Sequence, residues 1–73
     1  MGKQIYNNLN AELSRGNISL NEIAENTGIT RQAFNNKRND TTKWKLNEMV
    51  KIQEYINSKL NTNYTLDYLF KRE

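Results

Sequence analysis

The feature of this sequence that most restricts its fold is the spacing of small and apolar residues within positions 20–39. Ala24 is followed four positions later by Gly28. A small side chain lets two helices approach closely, and a glycine at this distance supplies the positive φ that a tight turn between them needs. Apolar residues stand before the alanine, just after the glycine and in the middle of the next helix: Ile23, Ile29 and Phe34. The pattern predicts a helix-turn-helix over residues 20–39, although an ordinary helical hairpin with a glycine turn has a similar signature.

Elsewhere the apolar residues recur at intervals of three and four, which indicates helices rather than strands. We expect the first helix to end at Gly16 in a left-handed cap. Ser19 precedes Glu22 by three positions, the spacing of a capping box that begins the second helix. Thr30 and Thr65 can cap the third and fifth helices. Longer apolar stripes mark the first and fourth helices: Ile5, Leu9 and Leu13, then Trp44, Leu46, Met49, Val50, Ile56 and Leu60.

The length of the chain, 73 residues, leaves room for one domain. We therefore expect a single all-α domain over residues 1–73, a compact bundle of about five helices around the central helix-turn-helix. No apolar run approaches the ~18 residues of a membrane span, and the N-terminus lacks the apolar core of a signal peptide, so we expect no membrane partner. The absence of cysteine suits a reducing cytoplasm.

Catalytic chemistry has little support in this composition. The chain contains neither histidine nor cysteine, so the commonest general base and the thiolate ligands of metals are missing. The three glycines are isolated and form no phosphate-binding loop. Glu22 and Glu25 are neighbours on the second helix, but we expect both to be solvated and to favour the helix N-terminus electrostatically. We therefore expect no catalytic residue, metal, cofactor or small-molecule substrate.

The distribution of charge is more informative than the net charge of +3. Five basic residues fall within positions 31–45, where Asp40 is the single acidic residue. Such a cluster is typical of a surface that contacts phosphates, and a lysine-rich solvated face would give the same pattern. The basic residues are Arg31, Lys37, Arg38, Lys43 and Lys45.

With these features the chain resembles the phage repressor and Cro type of helix-turn-helix protein, the Xre-like family. The resemblance covers Ile18–Asn39 and returns in the C-terminal Leu66–Phe70 segment. Lys37, the Trp44-Lys45-Leu46 run and Glu48 also resemble small regulators encoded by phages of low-GC bacteria. The resemblance implies a lambda-repressor-like DNA-binding domain in the cytoplasm of a bacterial host. In such a domain the third helix enters the major groove, usually as a two-fold dimer on a palindromic operator.

The resemblance also implies a role for individual positions on and around the third helix. Side chains of arginine pair with guanine and those of glutamine and asparagine with adenine, so four groove-facing residues are expected to read bases: Arg31, Gln32, Asn35 and Asn36. Residues at the rim of the same helix are expected to contact phosphates instead: Thr30, Lys37, Arg38, Lys43 and Lys45.

Three departures from the family pattern bear on the partner. Leu20 stands where many members have a phosphate-contacting glutamine, which leaves an apolar side chain to be exposed there. Lys37 replaces an apolar residue, and we expect its stem to cover the core while its ammonium reaches solvent or a phosphate. The fourth helix is expected to run about two turns further than usual. The extra aromatic residues either complete the core or, with Leu20, form an interface for a homodimer or a partner repressor: Tyr55, Tyr64 and Tyr68.

Two functions therefore follow from the sequence. In the first, the chain is a sequence-specific, double-stranded DNA-binding transcriptional regulator of the Cro and repressor type. In the second, the same fold serves a phage modulator or antirepressor, which binds and inactivates a partner repressor protein. Leu20 and the long fourth helix favour the second, whereas the basic residues and the polar third helix favour the first.

Overall fold

The computed structural model describes residues 5–39 and 41–72, and this part of the chain contains five helices and no strand. The all-α fold predicted from the sequence is confirmed. The helices in chain order are α1 (Asn7–Arg15), α2 (Leu20–Thr27), α3 (Arg31–Arg38), α4 (Leu46–Leu60) and α5 (Leu66–Leu69).

Hydroxyl side chains cap the N-termini of three helices, as their positions in the sequence predict. Ser19 accepts a hydrogen bond from the backbone N–H of Glu22 at 3.1 Å, at the start of α2. Thr30 caps α3 and Thr65 caps α5 in the same way, each at 3.1 Å. Each such cap satisfies a backbone donor that a helix leaves unpaired and contributes about 1 kcal/mol. The start of α3, the helix of greatest functional interest, is therefore fixed by local chemistry.

The end of α1 differs from the sequence-based expectation. Gly16 has a right-handed backbone (φ −84°), and the left-handed residue is Asn17 at φ +52°. The chain closes with a hydrogen bond from the N–H of Ile18 to the carbonyl of Leu13 at 2.9 Å. A Cβ on Gly16 would lie 2.6 Å from Cδ2 of Leu60 in α4, at the end of a flexible side chain that would have to shift. The glycine therefore permits a close approach of two segments and does not provide a positive φ.

The turn between α2 and α3 has the geometry that the sequence predicts. Gly28 adopts φ +78° and donates its N–H to the carbonyl of Ala24 at 3.0 Å. The Thr27 hydroxyl donates to the carbonyl of Ile23 at 2.7 Å and accepts the N–H of Ile29 at 3.3 Å. A Cβ on Gly28 would meet nothing within 4 Å, so the requirement here is conformational and not steric.

The core lies between these helices and includes all three apolar residues of the predicted crossing. Ile23 and Phe34 are completely buried, Ile29 is 6% exposed, and Ala24 is half-buried. Every described helix contributes to this core, which comprises Tyr6, Leu9, Leu13, Ile18, Ile23, Ile29, Phe34, Ile52, Ile56, Leu69 and Phe70.

Trp44 joins the third helix to the end of the chain. Its ring centroid lies 5.5 Å from that of Phe34, 5.1 Å from Phe70 and 6.4 Å from Tyr6, in each case edge to face. The spacing of apolar residues in the sequence predicts that Trp44 and Leu46 lie on the apolar face of the fourth helix. In the structure Trp44 precedes that helix, and Leu46 is 68% exposed at its first position. Both placements were wrong because the extended residues before α4 direct the indole inward and leave the next apolar side chain outside.

Candidate nucleic-acid interface

The third helix has one buried and one open side. Phe34 and Lys37 lie on the buried side, three residues apart. The four side chains expected to read bases share the opposite side, because positions 31, 32, 35 and 36 of an α-helix fall on one face. Arg31 and Gln32 are exposed, while Asn35 and Asn36 are half-buried at the edge of the surface. The structure thus brings these four residues together on one accessible helix face.

Arg31, at the first position of α3, is linked to the preceding helix. Its Nη1 donates a hydrogen bond to Oδ1 of Asn21 at 3.0 Å. Asn21 lies in the first turn of α2, so the bond spans the two helices of the helix-turn-helix. Because arginine has five N–H donors, this bond leaves others available to a ligand.

Arg38, at the last position of α3, is held by two neighbours of the same helix. Its Nη2 donates to Oδ1 of Asn35 at 2.6 Å, and its Cζ lies 5.5 Å from the centroid of the Phe34 ring. The charge-assisted hydrogen bond and the cation–π contact act together on a half-buried side chain. Arg38 is therefore more restrained than an ordinary surface arginine.

Lys37 does not reach the surface as expected. Its Nζ donates to Oε1 of Glu48 at 2.8 Å and to the carbonyl of Lys43 at 3.3 Å, with only 11% of the side chain exposed. Burial alone would raise the pKa of Glu48, but the hydrogen bonds from Lys37 and from the Lys45 backbone outweigh it and leave that pKa below 4.5. The expectation that the Lys37 ammonium meets solvent or a phosphate was wrong, because an acid eleven residues away pairs with it.

Three other residues expected to contact phosphates lie just before and just after α3 in the chain. Thr30, Lys43 and Lys45 are all exposed. A further exposed cation that was not predicted, Lys71, follows the buried Phe70. The two consecutive basic residues at positions 71 and 72 were the sequence signal for it.

Leu20, at the start of α2, packs against the core and is half-buried. It lines a cleft of about 490 Å³ between α1, the α1–α2 turn and the end of α3. Asn10 contributes a buried Oδ1 atom that has no hydrogen-bond partner among the described residues. The cleft is lined by Asn10, Leu13, Ser14, Asn17, Ile18, Ser19, Leu20, Arg38 and Asn39. The Leu20 side chain is therefore only partly available to a partner.

Tyr55, one of the aromatic residues expected at an interface, faces the second helix. Its hydroxyl donates to the carboxylate of Glu22, which also forms an ion pair with Lys59. Glu22 was expected to be solvated; instead it ties α2 to α4, and the Lys59 and Tyr55 hydrogen bonds lower its pKa. Burial and the same carboxylate raise the pKa of Tyr55 to about 12. The phenol thus acts as an internal donor.

Tyr64 and Tyr68 stack on each other and share a buried carboxylate. Their ring centroids are 5.0 Å apart, and each hydroxyl donates at 2.8 Å to one oxygen of Glu12. Glu12 is completely buried, and Arg15 approaches it at 3.5 Å. Hydrogen bonding to Glu12 raises the pKa of both phenols. Tyr68 remains 37% exposed although its hydroxyl is bonded to Glu12.

Sequence reasoning missed the role of Glu12. A signal for it was present, because Glu12 falls three residues after Leu9 and directly before Leu13, inside the apolar stripe of the first helix. An acid at such a position needs buried donors, and the C-terminal tyrosines supply them.

Comparisons with models of protein families, with curated proteins and with solved structures found no match for this chain. The resemblance to the Xre-like family therefore rests on the residues quoted for it. In residues 5–39 and 41–72, no helix is long and apolar enough to cross a membrane. Within the same residues, no three acidic, histidine or cysteine side chains are grouped as metal ligands.

Proposed function

We propose that this chain is a sequence-specific, double-stranded DNA-binding regulator of the phage repressor and Cro type, with α3 in the major groove. The observation that carries the proposal is the two-sided character of α3. Its inner side is fixed by Phe34 and by the Lys37–Glu48 pair, and its outer side presents arginine, glutamine and two asparagines. The major groove is about 12 Å wide and admits one α-helix, whose polar side chains then meet base edges.

The charges around α3 support the same function. Lys43 and Lys45 follow α3 in the chain and are exposed, as is Arg31 at the first position of the helix. Phosphates on both sides of a groove need such flanking cations, which set the register of the helix without reading sequence. Binding releases counterions from the DNA, so the affinity of the chain for DNA must fall steeply as the salt concentration rises.

The experiment measures the affinity of the chain for duplex DNA by fluorescence anisotropy at a series of salt concentrations. Two duplexes are compared: one carries a site selected for binding, and the other has a random sequence. Arg31→Ala is expected to reduce the preference for the selected site, because it removes bidentate recognition of one base. Lys43→Ala is expected to weaken both duplexes alike and to reduce the salt slope by about 1. Lys59→Ala is the control for the loss of a cation elsewhere, and its folding is checked by circular dichroism because it breaks the ion pair with Glu22. It also removes one cation, but its partner is Glu22, and it lies eleven residues, roughly 16 Å, beyond Glu48 along α4.

A partner repressor is the second candidate. It is favoured by Leu46, an apolar side chain 68% exposed beside the basic residues, and by the missing phosphate contact at Leu20. If no duplex binds at low salt at tens of micromolar protein, where non-specific association is normally measurable, the DNA-binding proposal fails and the antirepressor function takes its place.

A further inference from the structure

The outer side of α4 carries a small apolar patch formed by Leu46 and Val50. Leu46 is 68% exposed, and Val50 is half-buried and lies outside the core cluster. Side chains four residues apart in an α-helix lie on the same face, about 6 Å apart along the axis. The completely buried Ile52 and Ile56 mark the inner side of the same helix. The two outer side chains therefore form one continuous apolar surface, which we call the α4 patch.

Opposite charges stand at the two ends of the α4 patch. Lys45 directly precedes it and is exposed. Glu54 is exposed one turn after Val50 and continues the same row of side chains. Glu48 lies between them along the helix, but its carboxylate pairs with Lys37 on the inner side. From its N-terminal end, the outer row of α4 thus presents a cation, two apolar groups and an anion.

This order is self-complementary when two copies of α4 run antiparallel. With Leu46 of one copy beside Val50 of the other, the reciprocal pair is identical, as an isologous two-fold contact requires. The two-fold axis then passes near position 48, and Glu54 lies roughly 9 Å from it along the helix. Lys45 of the second copy lies on the same side of the axis, roughly 6 Å from it, and its flexible side chain spans the difference. A parallel pair would instead set each of these charges against its own copy.

We propose that two copies of this chain associate through an antiparallel pair of α4 helices, with Leu46 beside Val50 and Lys45 paired with Glu54 across the two-fold axis. The inference goes beyond the DNA-binding function and does not depend on it. It places self-association on the α4 patch and not on the tyrosines expected at an interface, whose hydroxyls are bonded within the chain. DNA itself fits this face poorly, because Glu54 would repel phosphates.

The test is self-association without DNA, measured by sedimentation equilibrium from micromolar to millimolar protein. Lys45→Glu and Glu54→Lys each set like charges against one another at both symmetric contacts. When the two variants are mixed, one copy is acidic at both positions and the other basic at both, so both contacts are restored in the mixed dimer. Lys51→Glu is the matched control for Lys45→Glu, because it makes the same change of charge about 140° around α4 from Leu46. Circular dichroism checks that every variant is folded.

The wild type is expected to form a weak dimer, since the α4 patch is small, and Leu46→Gln should abolish it. Each charge variant alone should dimerise roughly 3- to 30-fold more weakly at low salt, because two exposed ion pairs are lost. The equimolar mixture should dimerise as tightly as the wild type, and Lys51→Glu should leave the dimer unchanged.

A wild type that stays monomeric throughout the concentration range would overturn the inference and leave the exposed Leu46 to a partner repressor. A dimer that Leu46→Gln leaves intact would also overturn it, as would a mixture that associates no more tightly than the single variants. These outcomes are distinct from those of the duplex titration, so failure of the α4 contact leaves the proposed function standing.

Discussion

The Lys37–Glu48 pair determines how the inner side of the third helix is held, and it can be tested by a double-mutant cycle. The two side chains are 11% and 20% exposed, so the pair is neither free in water nor fully buried. Lys37→Met keeps the length and apolar stem of the side chain and removes only the ammonium. Glu48→Gln keeps an oxygen that can accept from the N–H of Lys45, now bonded to Glu48 at 3.0 Å.

The expected size follows from the bonds that are lost. A hydrogen bond to a charged group contributes about 1.5–3 kcal/mol, and the longer bond to the Lys43 carbonyl adds little. The methionine retains the buried stem and needs no desolvation of a charge, which offsets part of the loss. We expect Lys37→Met to cost about 1–2 kcal/mol, or a fall in Tm of roughly 5–15 °C for a domain of this size.

The assay is thermal and urea unfolding of the wild type, both single variants and the double variant at pH 7. We expect the double variant to be more stable than the sum of the single effects predicts, with a coupling of about 1 kcal/mol. The folded-state pKa of Glu48 is lowered, so the pair stabilises the fold above pH 4.5 and loses that contribution as the pH falls through the lowered value. The difference between wild type and Lys37→Met should therefore narrow in acid. Strictly additive single effects at pH 7 would refute the pairing.

Three further predictions concern the turn at Gly28, the helix cap at Thr30 and the hydroxyl of Tyr55. Gly28→Ala should lower the free energy of unfolding by about 1 kcal/mol through its φ of +78°, with Gly28→Asn less costly; equal stability of all three chains in urea would contradict this. Thr30→Ala should cost about 1 kcal/mol and Thr30→Ser much less, as measured by thermal unfolding, because only the alanine removes the cap of α3. The raised pKa of Tyr55 means that its hydroxyl stabilises the fold fully below pH 10, and that this contribution is lost as the pH rises towards about 12. Tyr55→Phe should therefore show a smaller loss of stability at alkaline pH, as followed by circular dichroism.

Several features that depend on neighbours in the sequence were predicted correctly. The caps at Ser19 and Thr30 and the left-handed Gly28 involve partners within four residues, so their residue types suffice to identify them. The burial of Ile23 and Phe34 follows equally from helical periodicity.

Features that depend on distant residues were not predictable in the same way. Gly16 resembles a left-handed cap in the sequence, and only the structure shows that Asn17 takes that conformation and that Gly16 lies against Leu60. The sequence alone allows Lys37 to face solvent, and only the structure shows that Glu48 lies beside it. For the candidate site, Arg31, Gln32, Asn35 and Asn36 were predicted to share one face of α3, and they do so. The hydrogen bonds that restrain Arg31 and Arg38 depend on tertiary contacts and side-chain rotamers, which the sequence does not show.

The buried Glu12 has a consequence for the order in which the molecule can form. Its carboxylate is satisfied by a hydroxyl 56 residues later in the chain. At typical synthesis rates of about 5–20 residues per second, roughly 3–11 seconds separate the appearance of Glu12 from that of Tyr68. For most of that interval neither tyrosine is available, and Arg15, three residues away, is the partner already present beside Glu12. The polar contacts of the core are therefore complete only when Tyr64 and Tyr68 are available.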